Sequence, residues 1–190
     1  MSRRGEFGSI RHLAVRFFAA LWPGGPSAAD EAWALQWLVP GEKALWSRMS
    51  GPDRRHAVGV ARTTAQLLGS APGSTSDDPT ERAVMASALL HDVGKVESGL
   101  GTLARAVLTG VALVTGRSRL ASPPSPAAPD NGWRRRVRLY LTHDSVGAGL
   151  LEAAGSDGLT VAWAREHHMA PQHWTVPPRL ADALKAADGD

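Results

Sequence analysis

Apolar residues recur at steps of three and four along most of this chain, and that spacing is the strongest constraint on its fold. Between Ile10 and Leu21, for example, the apolar side chains fall on one face of an amphipathic helix. Runs of alternating β-branched residues, which would indicate half-buried strands, are missing. We therefore predict an all-α fold. A chain of 190 residues is long enough for one compact helical bundle with a sizeable core.

Three segments rich in Gly, Pro and Ser predict loops between the helices, at residues 22–28, 69–77 and 121–132. Asp30, Asp53 and Asp78 are expected to cap the helices that follow them, because a carboxylate accepts hydrogen bonds from free amide groups. Pro40 should end the first of these helices, with a new helix over residues 41–49, and Gly69 should end the helix that follows Asp53. Further helices are predicted at residues 133–141, 144–154, 159–168 and 178–187.

The most apolar window, Leu103–Thr115, has 13 residues. A membrane-spanning helix needs roughly 20 residues. We favour a buried helix here over one that dips into a membrane. The N-terminus lacks the pattern of a secretory signal, so we expect a cytoplasmic protein. The amphipathic N-terminal helix is the place where we would expect a subunit contact in a homodimer.

The net charge is +3, and the one dense basic cluster comprises Arg134, Arg135, Arg136 and Arg138. A solvated helix face is favoured over a phosphate-binding or membrane-binding patch for this cluster. Specific binding of nucleic acid is not expected, because the basic residues do not form a long run. Three of the seven tryptophans lie at helical spacing and favour core packing over stacking on bases: Trp33, Trp37 and Trp46.

The chain has no cysteine but seven histidines. The absence of cysteine excludes disulfides, zinc ribbons, iron–sulfur clusters and thiol catalysis. Any metal site must therefore use imidazole and carboxylate ligands, which suit Fe²⁺, Mn²⁺, Co²⁺ or Zn²⁺. Most of the histidines fall in a series near predicted helix ends, which leaves out only His12 and His173. The series is His56, His91-Asp92, His143, His167-His168 and Asp188.

This order of residues resembles the HD superfamily of metal-dependent phosphohydrolases. The segment LLHDVGK at 89–95 is similar to the signature around that family's His-Asp pair, and YLTHDSVGAGLL at 140–151 to its next histidine. REHHMAPQHW at 165–174 resembles the double-histidine segment, and LADALKAADGD at 180–190 the closing aspartate helix. The resemblance implies an HD-type helical domain over residues 38–190, preceded by a helical extension over residues 1–37.

The resemblance also implies a ligand set. It assigns His56, His91, Asp92 and Asp188 to a first divalent ion, with Asp92 bridging to a second. His143 and one or both of His167 and His168 would then serve the second ion or contact phosphate. We favour two ions over one, with Mg²⁺ the least suited. Adjacent ligands splay by about 100° on an ideal helix, so the helix must bend at His91-Asp92, and we expect Gly94 to permit that bend.

The implied activity is hydrolysis of a phosphate ester or anhydride, in a nucleotide or related small molecule, by a metal-activated hydroxide. Asp92, Lys95 and His143 are the candidate catalytic residues. Lys95 is interpreted as a phosphate contact, with a surface pair to Asp53 or Glu97 as the alternative. The segment after the double histidine lacks the Gly-Tyr-Pro of the cyclic di-GMP subgroup, which disfavours that substrate.

Other interpretations stay open. A catalytically weak, metal-containing module that senses a nucleotide is the main alternative to an enzyme, and a purely structural metal site is a third. Asp144 is more simply an N-cap than a ligand. Arg54 and Arg55 flank the first ligand as substrate contacts or as helix-surface charges. His173 and Trp174 are interpreted as lining the entrance or, for Trp174, as packing.

Overall fold

The structure is a computed structural model that describes residues 24–69, 78–100, 108 and 132–189. These residues form eight α-helices and two short 3₁₀ helices, with no strand among them, so the predicted all-α class is confirmed. The α-helices are α1 Ala28–Gln36, α2 Pro40–Arg48, α3 Gly51–Leu68, α4 Pro79–Leu90, α5 Gly132–Leu141, α6 His143–Ala153, α7 Gly158–Glu166 and α8 Pro178–Asp188. The 3₁₀ helices are Val93–Ser98 and Pro171–His173.

The core lies between α3, α4, α7 and α8. Helix α3 packs against α4 and α8, while α7 packs against α4 and α6. The largest side chains enclosed by these helices include Trp46, Met85, Leu89, Trp163 and Leu184, all of them fully buried. Each such apolar side chain contributes roughly 1.5–3 kcal/mol on burial. The 3₁₀ helix Val93–Ser98 packs against both α5 and α6 at one side of this core.

Helix α1 joins the same core as the rest of the chain. Trp33 and Trp37 are buried there together with Trp46, which confirms the core role predicted for these tryptophans. The Arg62 guanidinium lies 4.4 Å from the centre of the Trp33 ring and 2.6 Å from an Asp30 carboxylate oxygen. A domain boundary after residue 37 stays a prediction. The helix expected between Ile10 and Leu21 and His12 within it lie outside the described residues.

Serines, and not the predicted aspartates, cap α1 and α3. Ser27 Oγ accepts a hydrogen bond from the Asp30 amide, and Ser50 Oγ accepts one from the Asp53 amide. Each observed cap therefore lies three residues before the expected one, and each aspartate lies in the first helical turn. The serine hydroxyl also donates to the aspartate side chain in each case, at 2.8 and 2.7 Å. Serine fits this position because its hydroxyl accepts a hydrogen bond from a backbone amide and donates one to the aspartate carboxylate at the same time.

The remaining helix boundaries agree closely with the sequence pattern. Asp78 caps α4 by accepting from the Thr80 amide, with Pro79 as the first helical residue. Gly69 ends α3 in a left-handed conformation, at φ 84°.

Pro40 does not end a helix as expected. It begins α2, because α1 has already stopped at Gln36.

None of the described helices has the length and apolar character needed to cross a bilayer. The predicted apolar helix at Leu103–Thr115 lies outside the described residues, apart from Leu108. Leu108 packs on Val137 and Leu141 of α5. Residues 70–77 and 121–131, which the sequence predicts as loops, also lie outside the described residues.

Candidate metal centre

Three of the candidate histidines sit where helices end, and each makes the same local hydrogen bond. The Nδ1 atoms of His91, His143 and His167 lie 3.0, 2.7 and 3.0 Å from the backbone oxygens of Ala88, Tyr140 and Ala164, each three residues earlier. A carbonyl oxygen only accepts, so Nδ1 is the donor in all three rings. The last carbonyls of a helix have no partner within the helix, and these imidazoles supply one. Their Nε2 atoms are therefore left to face the site.

The backbone bends at the His91-Asp92 pair, as the sequence requires. Helix α4 ends at Leu90, Asp92 adopts φ −98° and ψ 7°, and a 3₁₀ helix follows from Val93. The bend requires no left-handed backbone at Gly94, which is not among the residues with positive φ. A Cβ at Gly94 would lie 1.9 Å from the His143 backbone oxygen, so the glycine allows close packing of the 3₁₀ helix on α6.

The Asp92 carboxylate stands between two sets of imidazoles. Its Oδ1 atom lies 3.2 Å from His143 Nε2 and 3.9 Å from His167 Nε2. Its Oδ2 atom lies 3.5 Å from His91 Nε2 and also accepts a hydrogen bond from Lys95. Each carboxylate oxygen therefore faces a different side of the site.

Helix α8 brings Asp188 to the side that contains His91. Asp188 Oδ1 lies 3.1 Å from His56 Nε2 and 3.7 Å from His91 Nε2. His56 comes from α3, against which α8 packs, and its ring contacts the His91 ring edge-on. On the other side, His168 Nε2 lies 3.3 Å from His143 Nε2. All seven residues predicted as ligands thus lie together.

Two groups of side chains offer ligand atoms within 4.8 Å of one another, and they share Asp92. The groups are His56, His91 and Asp92, and Asp92, His143, His167 and His168. The shared carboxylate matches the bridging role that the sequence resemblance implies for Asp92.

Burial and neighbouring charges set the ionisation of the site. Burial raises the pKa of Asp92, but Lys95, His91 and His143 outweigh it and hold that pKa well below its usual range. Burial likewise opposes ionisation of Asp188, yet the hydrogen bond from His56 and the nearby His91 leave its pKa lowered. Both carboxylates are therefore ionised at neutral pH.

His167 is held in the neutral form. Its side chain is 1% exposed. Burial, with the neighbouring His91 and His168, lowers its pKa to about 2. A neutral imidazole whose Nδ1 donates has a lone pair on Nε2.

The residues present fit a divalent cation. His167 Nε2 is buried and has no hydrogen-bond partner, although most buried polar atoms in proteins have one. This Nε2 atom lies 3.9 Å from an oxygen of the ionised Asp92 carboxylate. Two acceptors in this arrangement repel unless a cation lies between them, and imidazole and carboxylate are ligands of borderline divalent ions.

Of the two alternative partners considered for Lys95, Asp53 contributes to the electrostatics of the ammonium group, whereas Glu97 is engaged elsewhere. The ammonium group bonds Asp92, while Glu97 pairs with Arg48. Burial lowers the pKa of Lys95, but the Asp92 charge outweighs burial and leaves that pKa raised. The charged Lys95 therefore lies at the site itself, beside the shared carboxylate.

Asp144 does not cap α6 as predicted. Helix α6 begins one residue earlier, at His143, and Asp144 Oδ1 accepts from the Ser145 amide, 2.7 Å away. Neither does Asp144 belong to either ligand group. The carboxylate thus serves the first turn of the helix that places His143.

The residues considered as substrate contacts or as lining the entrance contact other parts of the protein or are exposed. Arg54 bonds Glu31 at 2.9 Å and Arg55 bonds the Gly24 backbone oxygen, so both hold the chain before and within α1. Trp174 packs edge-on against Trp163. His173 is exposed on the second 3₁₀ helix.

Three residues that support the site were missed in the sequence. Tyr140 stacks on the His143 ring, with ring centres 5.9 Å apart. Buried Glu166 accepts from both the amide and the hydroxyl of Thr175, at 2.6 Å each. Lys185 donates to the His167 backbone oxygen. Each lies next to a ligand or on a helix that carries one, but nothing in the sequence pattern distinguishes it from an ordinary polar residue.

No family model, curated protein or solved structure matches the chain.

Proposed function

We propose that this protein is a metal-dependent phosphohydrolase of the HD type, which holds two divalent ions and cleaves a phosphate ester or anhydride of a nucleotide or related small molecule. The observation that carries the proposal is the position of Asp92. Its two carboxylate oxygens face separate groups of imidazoles, with His91 near one oxygen and His143 near the other. A structural metal site needs about four ligands and no shared carboxylate.

The ligand sets follow from the two groups. His56, His91, Asp92 and Asp188 would hold one ion, and Asp92, His143, His167 and His168 the other. When bound, such ions supply positive charge for phosphoryl oxygens and lower the pKa of water. The Nδ1 hydrogen bonds of His91, His143 and His167 fix the ring orientation before any ion arrives.

Lys95 supplies the phosphate contact in this proposal. Its ammonium group is charged and lies beside Asp92. A divalent ion on Asp92 would compete with Lys95 for the same carboxylate, which would release the ammonium group towards a substrate phosphate. The Tyr140 backbone oxygen and the stacked Tyr140 ring hold His143 beside the shared carboxylate, where His143 would contribute to holding an ion.

The test is a turnover screen of purified full-length protein reconstituted with Mn²⁺, Fe²⁺ or Co²⁺. Nucleotides and generic phosphate esters are offered, and release of phosphate or nucleotide product is measured. The Asp92→Ala variant should lose activity by about three orders of magnitude, because a metal ligand is removed. Asp144→Ala is the matched control, since Asp144 lies beside His143 but outside both ligand groups.

No turnover of any substrate with any of the metals would contradict the hydrolase proposal and favour a sensing module. Equal activity of Asp92→Ala and wild type would contradict the proposed site. The cytoplasmic location stays a prediction.

A further inference from the structure

The basic cluster predicted to be a solvated helix face contains an exposed aromatic residue. Trp133 is 53% exposed, the most exposed tryptophan among the described residues. It precedes Arg134, Arg135 and Arg136, which are also exposed at the start of α5. None of these residues belongs to the candidate metal centre.

Trp133 extends the apolar side of α5 beyond the domain core. Residues four apart lie on one face of a helix, so Trp133, Val137 and Leu141 form one stripe. Val137 and Leu141 are buried against the rest of the protein, whereas the tryptophan at the end of the stripe is not. A single exposed apolar side chain is ordinary on a protein surface, and what distinguishes this indole is the arginines that adjoin it.

The arginines occupy the end of α5 where positive charge is least favourable. The amino end of a helix has a partial positive charge, which favours acidic side chains and disfavours basic ones. Helices α5, α7 and α8 have no acidic residue in the first turn, unlike the other described helices. Helix α5 has consecutive arginines at this end, whereas α8 has the single Arg179. An anionic partner would offset the repulsion between the arginines of α5 and the end of their helix.

We propose that Trp133, Arg135 and Arg136 form a docking surface for an anionic lipid bilayer. Tryptophan favours the headgroup region, where its apolar ring and its N–H group are both satisfied. Arginines beside it are attracted to the negative surface potential of anionic lipids. One indole among arginines on a helix end fits a bilayer better than nucleic acid, since single-stranded binding uses several aromatic rings in succession. The interaction is peripheral and does not depend on the metal centre.

The experiment is cosedimentation of the full-length protein with large vesicles of phosphatidylcholine alone or mixed with phosphatidylglycerol. We expect binding to the mixed vesicles only, with weaker binding at higher salt because the charges are screened. The double variant Arg135→Glu/Arg136→Glu should weaken binding by at least about tenfold. Trp133→Ser should weaken binding to the mixed vesicles even at low salt, because the indole contribution is apolar.

The matched control is Lys43→Glu/Arg179→Glu, which changes net charge equally at exposed positions on α2 and α8. This control should bind mixed vesicles within about twofold of wild type, because only general charge is altered. Circular dichroism melts check that all variants fold. Equal weakening by the control, or no binding of wild type to mixed vesicles, would overturn the proposal. Tighter binding of an oligouridine, lost in the same α5 variants, would also overturn it in favour of nucleic acid.

Discussion

Asp92 Oδ1 lies 3.2 Å from His143 Nε2, while the other oxygen of the same carboxylate faces His91. The two histidines come from different helix ends, α4 and the junction of α5 with α6. One carboxylate therefore faces both groups of imidazoles. This relationship underlies the proposal of two metal ions.

The stability of the metal-free protein should depend on pH through His167. The unfolded chain binds a proton here near pH 6.5, whereas burial lowers the folded-state pKa to about 2. The unfolded state therefore binds more protons between these values, and the free energy of unfolding falls as the pH drops below 6.5, by roughly 1 kcal/mol per pH unit. Urea denaturation at pH 6.5, 5.5 and 5.0 measures this slope, above the range in which the aspartates titrate.

His167→Gln should reduce the dependence of the unfolding free energy on pH by roughly 1 kcal/mol per pH unit. This change is expected whatever the effect of the substitution on stability at neutral pH. His173→Gln is the control, because His173 is exposed. The interpretation of His167 as a buried neutral imidazole is wrong if both variants keep the slope of the wild type.

Gly94→Ala should destabilise the protein by about 1–3 kcal/mol, because the added methyl group must displace packed backbone. The clash is with the His143 backbone oxygen, at 1.9 Å. The same displacement moves a ligand, so affinity for Mn²⁺ should also fall. Thermal denaturation and Mn²⁺ titration by calorimetry measure the two effects.

Gly149→Ala, on the same helix as His143, gives the comparison, because a Cβ at Gly149 meets nothing within 4 Å. Alanine is favoured over glycine within helices, so this variant should be unchanged or up to about 1 kcal/mol more stable. Equal losses in both variants would show that close packing at Gly94 is not the cause.

Glu166→Ala should lower the free energy of unfolding by about 2 kcal/mol, because two hydrogen bonds from Thr175 to the buried Glu166 carboxylate are lost. Glu152→Ala removes an exposed ion pair with Arg165 and should change stability by at most about 0.5 kcal/mol. Chemical denaturation of both variants measures the two changes in the free energy of unfolding. Similar values for the two would contradict a supporting role for Glu166 beside the double histidine.

Lys95→Met should weaken binding of inorganic phosphate to the metal-loaded protein by about tenfold, because a charge-assisted contact is lost. Affinity for Mn²⁺ should not fall, since Lys95 competes with a cation for Asp92. Calorimetric titrations with phosphate and with Mn²⁺ separate the two effects. Lys43→Met, at an exposed position on α2, should leave both unchanged. Unaltered phosphate binding in Lys95→Met would remove Lys95 from the phosphate site.

The all-α class could be predicted from the sequence because it depends on a repeated local pattern, the spacing of apolar residues. The ligand set is implied only by the resemblance of the His and Asp order to the HD superfamily, and the structure brings these seven residues together. The predicted caps of α1 and α3 are wrong, although Ser27 and Ser50 each precede an aspartate by three residues. That spacing is itself a sign of a serine cap.

Other features could not be predicted because they depend on contacts between distant segments. Gly94 is needed for close approach to the His143 backbone, and that approach exists only once α6 has packed on the 3₁₀ helix. The support of Thr175 by Glu166 likewise depends on how the chain folds back after the double histidine. The hydrogen bonds of the three histidines to carbonyls three residues earlier require knowledge of where each helix ends, and such boundaries are the least certain part of a sequence-based prediction.

The most direct test of the central claim is the metal content of the full-length protein. The metal-free protein is reconstituted with Mn²⁺, Fe²⁺ or Co²⁺, freed of excess ion and measured by mass spectrometry of the metal against protein concentration. Two equivalents per chain are expected for the wild type, falling to one or fewer in Asp92→Asn and remaining at two in Asp144→Asn. A wild-type content of one equivalent or below with every metal would contradict the bridging role of Asp92.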